Sequence, residues 1–499
     1  MSENDTLAPE PAPTAAPMSQ RVAKSAVWTM AANASRIASA ILILPVLTRL
    51  LTPEDFGLMQ IAAPFLFFVM VFSDLGMQPA LVVAEKPSTA LWSTAFWTGL
   101  GVASLLTLGL IAAAPVISIF FNEPRATPIL QVLAITILIG GFAIVPAAQL
   151  MRAMDFRTLA IVECFSVLSG IIAAVICAFQ GWGVWSLVVQ QLVMFSLKSA
   201  SLFIRSPPPI RFQFSMVELK SIIGVSWQLT NVRMVNFLTR SVDLVIIGRF
   251  LGAAALGFYS IAWRIVMMPI EILATGMTQV LLPALGQIKD EPERVRNGIL
   301  RTYRTISLLS FPAIAGISSL SFPLTHIAFG DAFMPAAIPV SILAMLGAIQ
   351  SLLCIQGPIF IAFGRIDLLL RWSLITAATV ASFLLFGVRW GLEGAVIGSL
   401  LAGVVCGIPN LRDLLKLFDA RLVDAWAAVQ TPALLSLAMG LIVFTLSHVV
   451  LEGWGDLEKL AICIPAGMIL YGGGLVLLDR KAIHDVLMLG RSVLAKAPA

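Results

Sequence analysis

Charge is what this sequence has least of. Only 12% of its 499 residues are Asp, Glu, Lys or Arg, while 59% are hydrophobic and the mean hydropathy is +0.95; a soluble domain carries roughly 25% charged residues. A water-soluble fold of this length cannot hide so much apolar surface. Groups for metal, redox or nucleotide chemistry are equally scarce. The five cysteines, Cys164, Cys177, Cys354, Cys406 and Cys463, all fall in apolar stretches and none forms a C-x-x-C pair, so they read as small buried hydrophobes. His326 and His448 stand singly near predicted helix ends and His484 lies in the tail, without companions at metal-ligand spacing, so no metal is expected. No G-x-x-x-x-G-K-[ST] stretch is present, and the run Gly472 to Gly474 lies in an apolar helix, where close helix packing explains it. No cofactor is expected.

What fills the chain is a succession of apolar runs, each long enough to cross about 30 Å of hydrocarbon as a helix. They predict an all-α membrane protein of about fourteen transmembrane helices, near 25–48, 57–74, 89–121, 128–150, 158–179, 184–204, 221–248, 258–285, 304–328, 336–363, 372–388, 394–411, 429–451 and 457–478. Orientation follows from charge. Of the 32 basic residues, only Arg49, Arg125, Arg249, Arg389 and Lys459 fall in loops on the side opposite the N-terminus. This bias puts both termini in the cytoplasm of a multi-pass inner-membrane protein. The same distribution accounts for the net charge of +5, so nucleic acid is not an expected partner. The first twenty residues, MSENDTLAPEPAPTAAPMSQ, lack the basic start and apolar centre of a signal peptide.

A weak internal repeat organises the spans. TRLLTPEDFGLMQIAA at 48–63 matches GRFLGAAALGFYSIAW at 248–263, pairing Arg49 with Arg249, Gly57 with Gly257 and Ala62 with Ala262. RAMDF at 152–156 then resembles GRIDL at 364–368, and GWGVWS at 181–186 resembles RWGLEGA at 389–395, in the same order. Two six-helix lobes related by a parallel repeat are implied. The expected organisation is a disordered cytoplasmic tail (1–20), a first lobe (21–204), a cytoplasmic linker with a Pro207 to Pro209 run (205–220) and a second lobe (221–411). A cytoplasmic loop (412–428), two further helices (429–478) and a cytoplasmic tail (479–499) follow. The longest loops, 205–220, 286–303 and 412–428, leave no room for an extramembrane domain.

Charges inside hydrocarbon cost roughly 2.5–3.5 kcal/mol each on insertion scales, so their positions carry the functional information. In the seventh span Ser226, Thr230, Arg233, Asn236, Arg240 and Asp243 follow helical spacing and form one polar stripe. The first span repeats this with Thr29, Asn33 and Arg36, the eighth puts Arg264 and Glu271 on one face, and the fifth adds Glu163 and Ser166. Two lobes that each turn a basic, amide-bearing helix to a common centre describe a water-filled cavity for an anionic, hydrogen-bonding ligand. Arg36, Asn33, Arg233, Asn236, Arg240 and Arg264 are the expected substrate-binding residues, and Asp243, Glu163, Glu271 and Asp74 the coupling or ion-pair acids. The alternative stays open that these charges pair among themselves: Arg240 with Asp243, and Arg233 or Arg264 with Glu271 or Glu163. Trp28, Trp227 and Trp263 are read either as aromatic faces turned to the ligand or as interfacial anchors. Asp74, at a helix end, also has the option of reaching cytoplasmic water.

Over residues 20–480 the sequence resembles the Wzx-type polysaccharide flippases of the multidrug/oligosaccharidyl-lipid/polysaccharide exporter superfamily, in the branch of colanic-acid exporters. The resemblance is carried by SAVWTMAANASRIASAILILPVLTRLLTPEDFGLMQIA with the SDLGMQPALV turn, and by RSVDLVIIGRFLGAAALGFYSIAWRIVMMPIEILATGMTQVLLPALGQI. It implies fourteen helices in two lobes with alternating access. It also implies export of an undecaprenyl-pyrophosphate-linked oligosaccharide to the periplasmic leaflet for O-antigen or exopolysaccharide assembly, by a protein that is not an enzyme and works as a monomer beside a polymerase and a chain-length partner. Cavity arginines are a theme of that family, and Arg36, Arg233 and Arg264 are the positions that suit it here. A lipid II flippase shares the chemistry. A drug antiporter of the superfamily is expected to offer a more acidic cavity. A membrane glycosyltransferase or polymerase would use Glu54 and Asp55, but their loop is too short to hold an acceptor.

Overall fold

The computed structural model describes residues 43–74, 76–84, 87–288 and 291–478 together with Trp28 and Ser39; for residues 74, 221–240, 273–288 and 292 the description is of backbone only. Every regular element among them is a helix. The first half of the chain contains α1 (Pro53–Asp74), α2 (Met77–Val83), α3 (Thr89–Phe121), α4 (Ala126–Gly141), α5 (Ile144–Arg152), α6 (Phe156–Phe179) and α7 (Trp185–Arg205). The second half contains α8 (Met216–Ile288), α9 (Pro292–Ser319), α10 (Ser321–Phe329), α11 (Ala337–Leu353), α12 (Gln356–Ala362), α13 (Ile366–Gly387) and α14 (Gly391–Lys416). Two more helices, α15 (Leu422–Thr445) and α16 (Asp456–Leu478), pack beside α9 and α10.

Nine of the described stretches are long and apolar enough to cross a membrane, or up to eleven if each of two bent pairs is one span: α4 with α5, bent by 41°, and α9 with α10, bent by 79°. The chain is thus a multi-pass membrane protein, and fourteen spans remains an expectation of the sequence. The first expected span lies mostly outside the described residues. Two stretches that pass as single spans reverse direction internally. Within α8, Gly252 adopts φ 82° and ψ −179°, and Tyr259 donates a 2.6 Å hydrogen bond to Asp243, 16 residues away; in an uninterrupted helix that separation would be about 24 Å. Between α13 and α14 the turn falls at Gly391, φ 76°. Beyond it the helices meet backbone to backbone: a Cβ on Gly387 would lie 2.3 Å from the Gly394 carbonyl oxygen, and one on Gly398 2.6 Å from that of Phe383. Small residues permit such contacts between membrane helices.

Two of the three stretches expected as the longest loops, 286–303 and 412–428, are largely helical, while 205–220 is helical only at Arg205 and from Met216 onward. α8 starts at Met216, α9 at Pro292, α14 runs to Lys416 and α15 starts at Leu422. Charged turns end an apolar span without ending a helix, because Arg, Lys and Glu are good helix formers. The linker between the halves is bound down on the start of α3. Ser93 Oγ donates to the Pro209 carbonyl at 3.3 Å and accepts from the Arg211 amide at 2.9 Å, and Trp97 Nε1 donates to the Arg211 carbonyl at 3.0 Å. Phe212 stacks on the Trp97 ring at 4.9 Å.

At the end of the molecule that the charge bias assigns to the outer face, the repeat closes on itself. A Cβ on Gly57 would lie 1.7 Å from the Ala253 carbonyl oxygen, and one on its counterpart Gly257 would lie 2.0 Å from the oxygen of Pro53. Pro53 and Ala253 occupy equivalent places in the repeat, so the contact is reciprocal, as across a two-fold axis. The paired arginines follow the same rule. Arg49 donates to the Ile327 carbonyl at the end of α10 at 3.1 Å, and Arg249 lies 2.6 Å from the Asn122 side-chain amide at the end of α3, whose oxygen accepts from it once the amide is assigned by its hydrogen-bond partners. Beneath them Leu47, Leu51, Phe56, Ile261, Phe329 and Phe333 form a shared apolar plug, with Phe56 edge-on to Phe333 at 5.7 Å.

Candidate functional site

The interior charges fall into three groups. Arg264, on the second arm of α8 within the apolar stretch Ser241–Ile272, has an exposed side chain. Glu271, seven residues on and also exposed, attracts it. A guanidinium offers five N–H donors to an anion.

The second group joins Asp243 to Tyr259 across the Gly252 reversal. The Tyr259 hydroxyl donates to Asp243 Oδ2 at 2.6 Å, while Asp243 Oδ1 is buried with no hydrogen-bond partner. The Arg240 side chain lies outside the described residues, so of the expected partners of Asp243 the structure describes none, and it adds Tyr259, which the sequence reading did not name. Trp263 stacks on Tyr259 at 6.0 Å and, partly buried, packs against the core.

The third group was not anticipated. Glu163 forms a 2.7 Å ion pair with Lys198, not with an arginine of the second half. α7 carries Lys198 seven residues before its last residue, Arg205, about 10 Å inside the helix end. The signal was the hairpin register. Glu163 and Lys198 lie almost equally far along the chain from the turn at Gly181 and Gly183, and Gly170 meets the Gln190 carbonyl in the same register, where a Cβ would come within 2.8 Å of the oxygen. The pair borders a cavity of about 480 Å3 between α1, α2 and α4 to α7, with Ser73, Gln78 and Ser199 as further polar lining and Phe156 and Phe195 among the apolar walls.

Among the other expected residues, Asn33 and Arg36 lie outside the described residues, and the side chains of Asp74, Trp227, Arg233, Asn236 and Arg240 do as well. Trp28 lies 5.7 Å beneath the Arg157 guanidinium, a cation–π contact. His326 has partners after all: it bridges Asp331 at 3.0 Å and Asp456, tying α10 to the start of α16. Glu54 is engaged by Arg125 at 3.0 Å, and Asp55 accepts hydrogen bonds from Thr52 and the Val184 amide. Among the described residues no group of three or more His, Cys, Asp or Glu side chains could hold a metal ion.

Comparison with known proteins agrees with this architecture. The chain is 24% identical to the succinoglycan biosynthesis transport protein ExoT of Rhizobium meliloti (strain 1021), over 94% of this chain and 96% of that one. It is 22% identical to the lipopolysaccharide biosynthesis protein WzxC of Escherichia coli (strain K12), over 80% and 81%. Its fold superposes on the lipid II flippase MurJ in an inward closed conformation with a TM-score of 0.74 at 15% identity, covering 92% of this chain and 99% of that one. At that identity the likeness is one of fold. The model of the polysaccharide biosynthesis protein family matches residues 46–338, more than half of the sequence, and the chain belongs to that family.

Proposed function

We propose that this protein is a flippase that carries an undecaprenyl-pyrophosphate-linked oligosaccharide from the cytoplasmic to the periplasmic leaflet of the bacterial inner membrane, for O-antigen or exopolysaccharide assembly. The observation that carries the reading is Arg264: an exposed guanidinium within the membrane-spanning stretch Ser241–Ile272, in a family of polysaccharide biosynthesis. A charge held at that depth is costly unless it faces an aqueous path, and a guanidinium favours phosphate oxygens. Arg36, Asn33, Arg233, Asn236 and Arg240 extend the same basic surface by their helical spacing.

In this mechanism the headgroup enters the basic interior from the cytoplasmic leaflet while the polyprenyl tail stays in lipid. The Gly57–Gly257 contact and its apolar plug seal the outer end in this state, and the lobes rock to open it. Each negative charge moved outward through about 100 mV, inside negative, contributes roughly 2.3 kcal/mol, enough to bias direction without ATP. Asp243, Glu163, Glu271 and Asp74 are the groups through which a returning cation would couple. The protein moves its substrate without chemical change, acts as a monomer with both termini cytoplasmic, and hands its product to a polymerase and chain-length partner.

The test is export in a deletion strain complemented with wild type, Arg233→Ala or Arg264→Ala at equal membrane levels. Accumulation of the lipid-linked intermediate with the arginine variants is the expected result; wild-type export by both variants would make these arginines structural.

A further inference from the structure

We infer that the cavity bordered by Glu163 and Lys198 is a saccharide subsite, which holds the sugar next to the pyrophosphate while the arginines hold the phosphates. The inference rests on the flippase reading above. Its ground is the mismatch between this cavity and the basic interior. Glu163 and Lys198 neutralise each other at 2.7 Å, so the cavity offers a phosphate little net attraction. Their side chains nevertheless keep 31% and 40% of their surface open, which leaves a carboxylate oxygen and ammonium protons free to hydrogen-bond. A partly exposed ion pair adds little to stability, so packing alone is a weak reason to hold two charges a helical turn or more inside a span.

The rest of the lining fits a polyol. Ser73 and Gln78 bring a hydroxyl and an amide, while Phe156 and Phe195 supply apolar walls for the C–H faces of a sugar ring. Ser199 Oγ is committed to the Ile139 carbonyl at 2.7 Å, so it fixes the wall and leaves recognition to its neighbours. A volume of about 480 Å3 lies in the range of sites that enclose small ligands, about 300–1,000 Å3. The position fits as well: Met151 and Phe156, at the cytoplasmic ends of α5 and α6, line the cavity, so it lies on the side from which the headgroup is loaded. A neutral, hydroxyl-bearing ligand with one apolar face satisfies all of these groups; a drug-like cation would leave Lys198 opposed, and a bare phosphate would meet Glu163.

The experiment uses the full-length protein in nanodiscs and two probes, undecaprenyl pyrophosphate and undecaprenyl-pyrophosphoryl-glucose. Wild type is expected to bind the glucosylated carrier about tenfold tighter than the bare one, the worth of one charge-assisted hydrogen bond. Glu163→Gln and Lys198→Met are expected to lose that gain, so that each binds the two probes alike. The exchanged pair Glu163→Lys with Lys198→Glu, which rebuilds the ion pair, is expected to recover part of it. Each variant is first shown to be monodisperse with wild-type thermal stability; should a single variant fail this, the exchanged pair carries the comparison, and a gain there as large as the wild type's overturns the subsite. A sugar-dependent gain that survives in the folded single variants overturns the subsite, as does equal binding of the two probes by wild type. Wild type that binds neither probe refutes the flippase reading itself.

Discussion

Replacing Gly257 by alanine places a methyl carbon 2.0 Å from the Pro53 carbonyl oxygen, and Gly57→Ala places one 1.7 Å from that of Ala253. Both obstacles are backbone atoms inside helices, so no side-chain rotation relieves the clash and the two halves must separate at this end by more than an ångström. Overpacking of this kind costs about 1–3 kcal/mol, and the cost falls on the closed outer end alone. The equilibrium should therefore move toward an open outer end by roughly 5- to 150-fold. Spin labels at Trp182 and Trp390, which are 51% and 63% exposed on equivalent turns of the two halves, would read the change by pulsed dipolar spectroscopy in a background without the five cysteines. Gly257→Ala should add a population at longer distance, and Gly101→Ala, where a Cβ meets nothing within 4 Å, should not. A Gly257→Ala distribution identical to wild type in a folded protein would refute the idea that this contact is the outer seal.

Other expectations follow from single contacts. Tyr259→Phe removes the one hydrogen-bond donor to a carboxylate whose other oxygen already has none, so it should lower stability by about 1–3 kcal/mol; an unchanged unfolding midpoint in detergent would contradict the pairing. Trp97→Ala removes both the stacking on Phe212 and the bond to the Arg211 carbonyl. Trypsin cleavage at Arg211 should then accelerate roughly tenfold, the equivalent of about 1.4 kcal/mol of local opening, and cleavage at the wild-type rate would show that the linker is held elsewhere. Arg264→Lys keeps the charge but loses the planar donor fork, so it should recover only part of the export lost in Arg264→Ala; full recovery would mean that charge alone suffices.

How much of this was legible depends on whether the signal was local. Apolar runs and their breaks are local, and the span read at 89–121 coincides with Thr89–Phe121. The pairing of Gly57 with Gly257 in the repeat was also visible, because symmetry-related glycines share a local pattern. What those glycines touch was not, since the contact joins segments about 200 residues apart. The bend of 79° between α9 and α10 leaves no mark in hydropathy, because both sides are apolar. Side-chain partners were the weakest part. Tyr259 as a partner of Asp243 was out of reach of helical spacing, because the reversal at Gly252 delivers it from 16 residues away. The pairing of Glu163 with Lys198 depends on the register of two helices packed across a turn, which hydropathy does not show.

The most direct test of the transport claim is flipping in proteoliposomes. An undecaprenyl-pyrophosphate-linked oligosaccharide is placed in both leaflets, the outward-facing fraction is cleaved by an impermeant glycosidase, and the protected fraction is followed with time. With wild-type protein the protected fraction should fall toward zero, and with Arg264→Ala it should stay near one half, as in empty liposomes. A protected fraction that stays near one half with folded wild-type protein, under an imposed voltage or ion gradient as well as without one, would contradict the account.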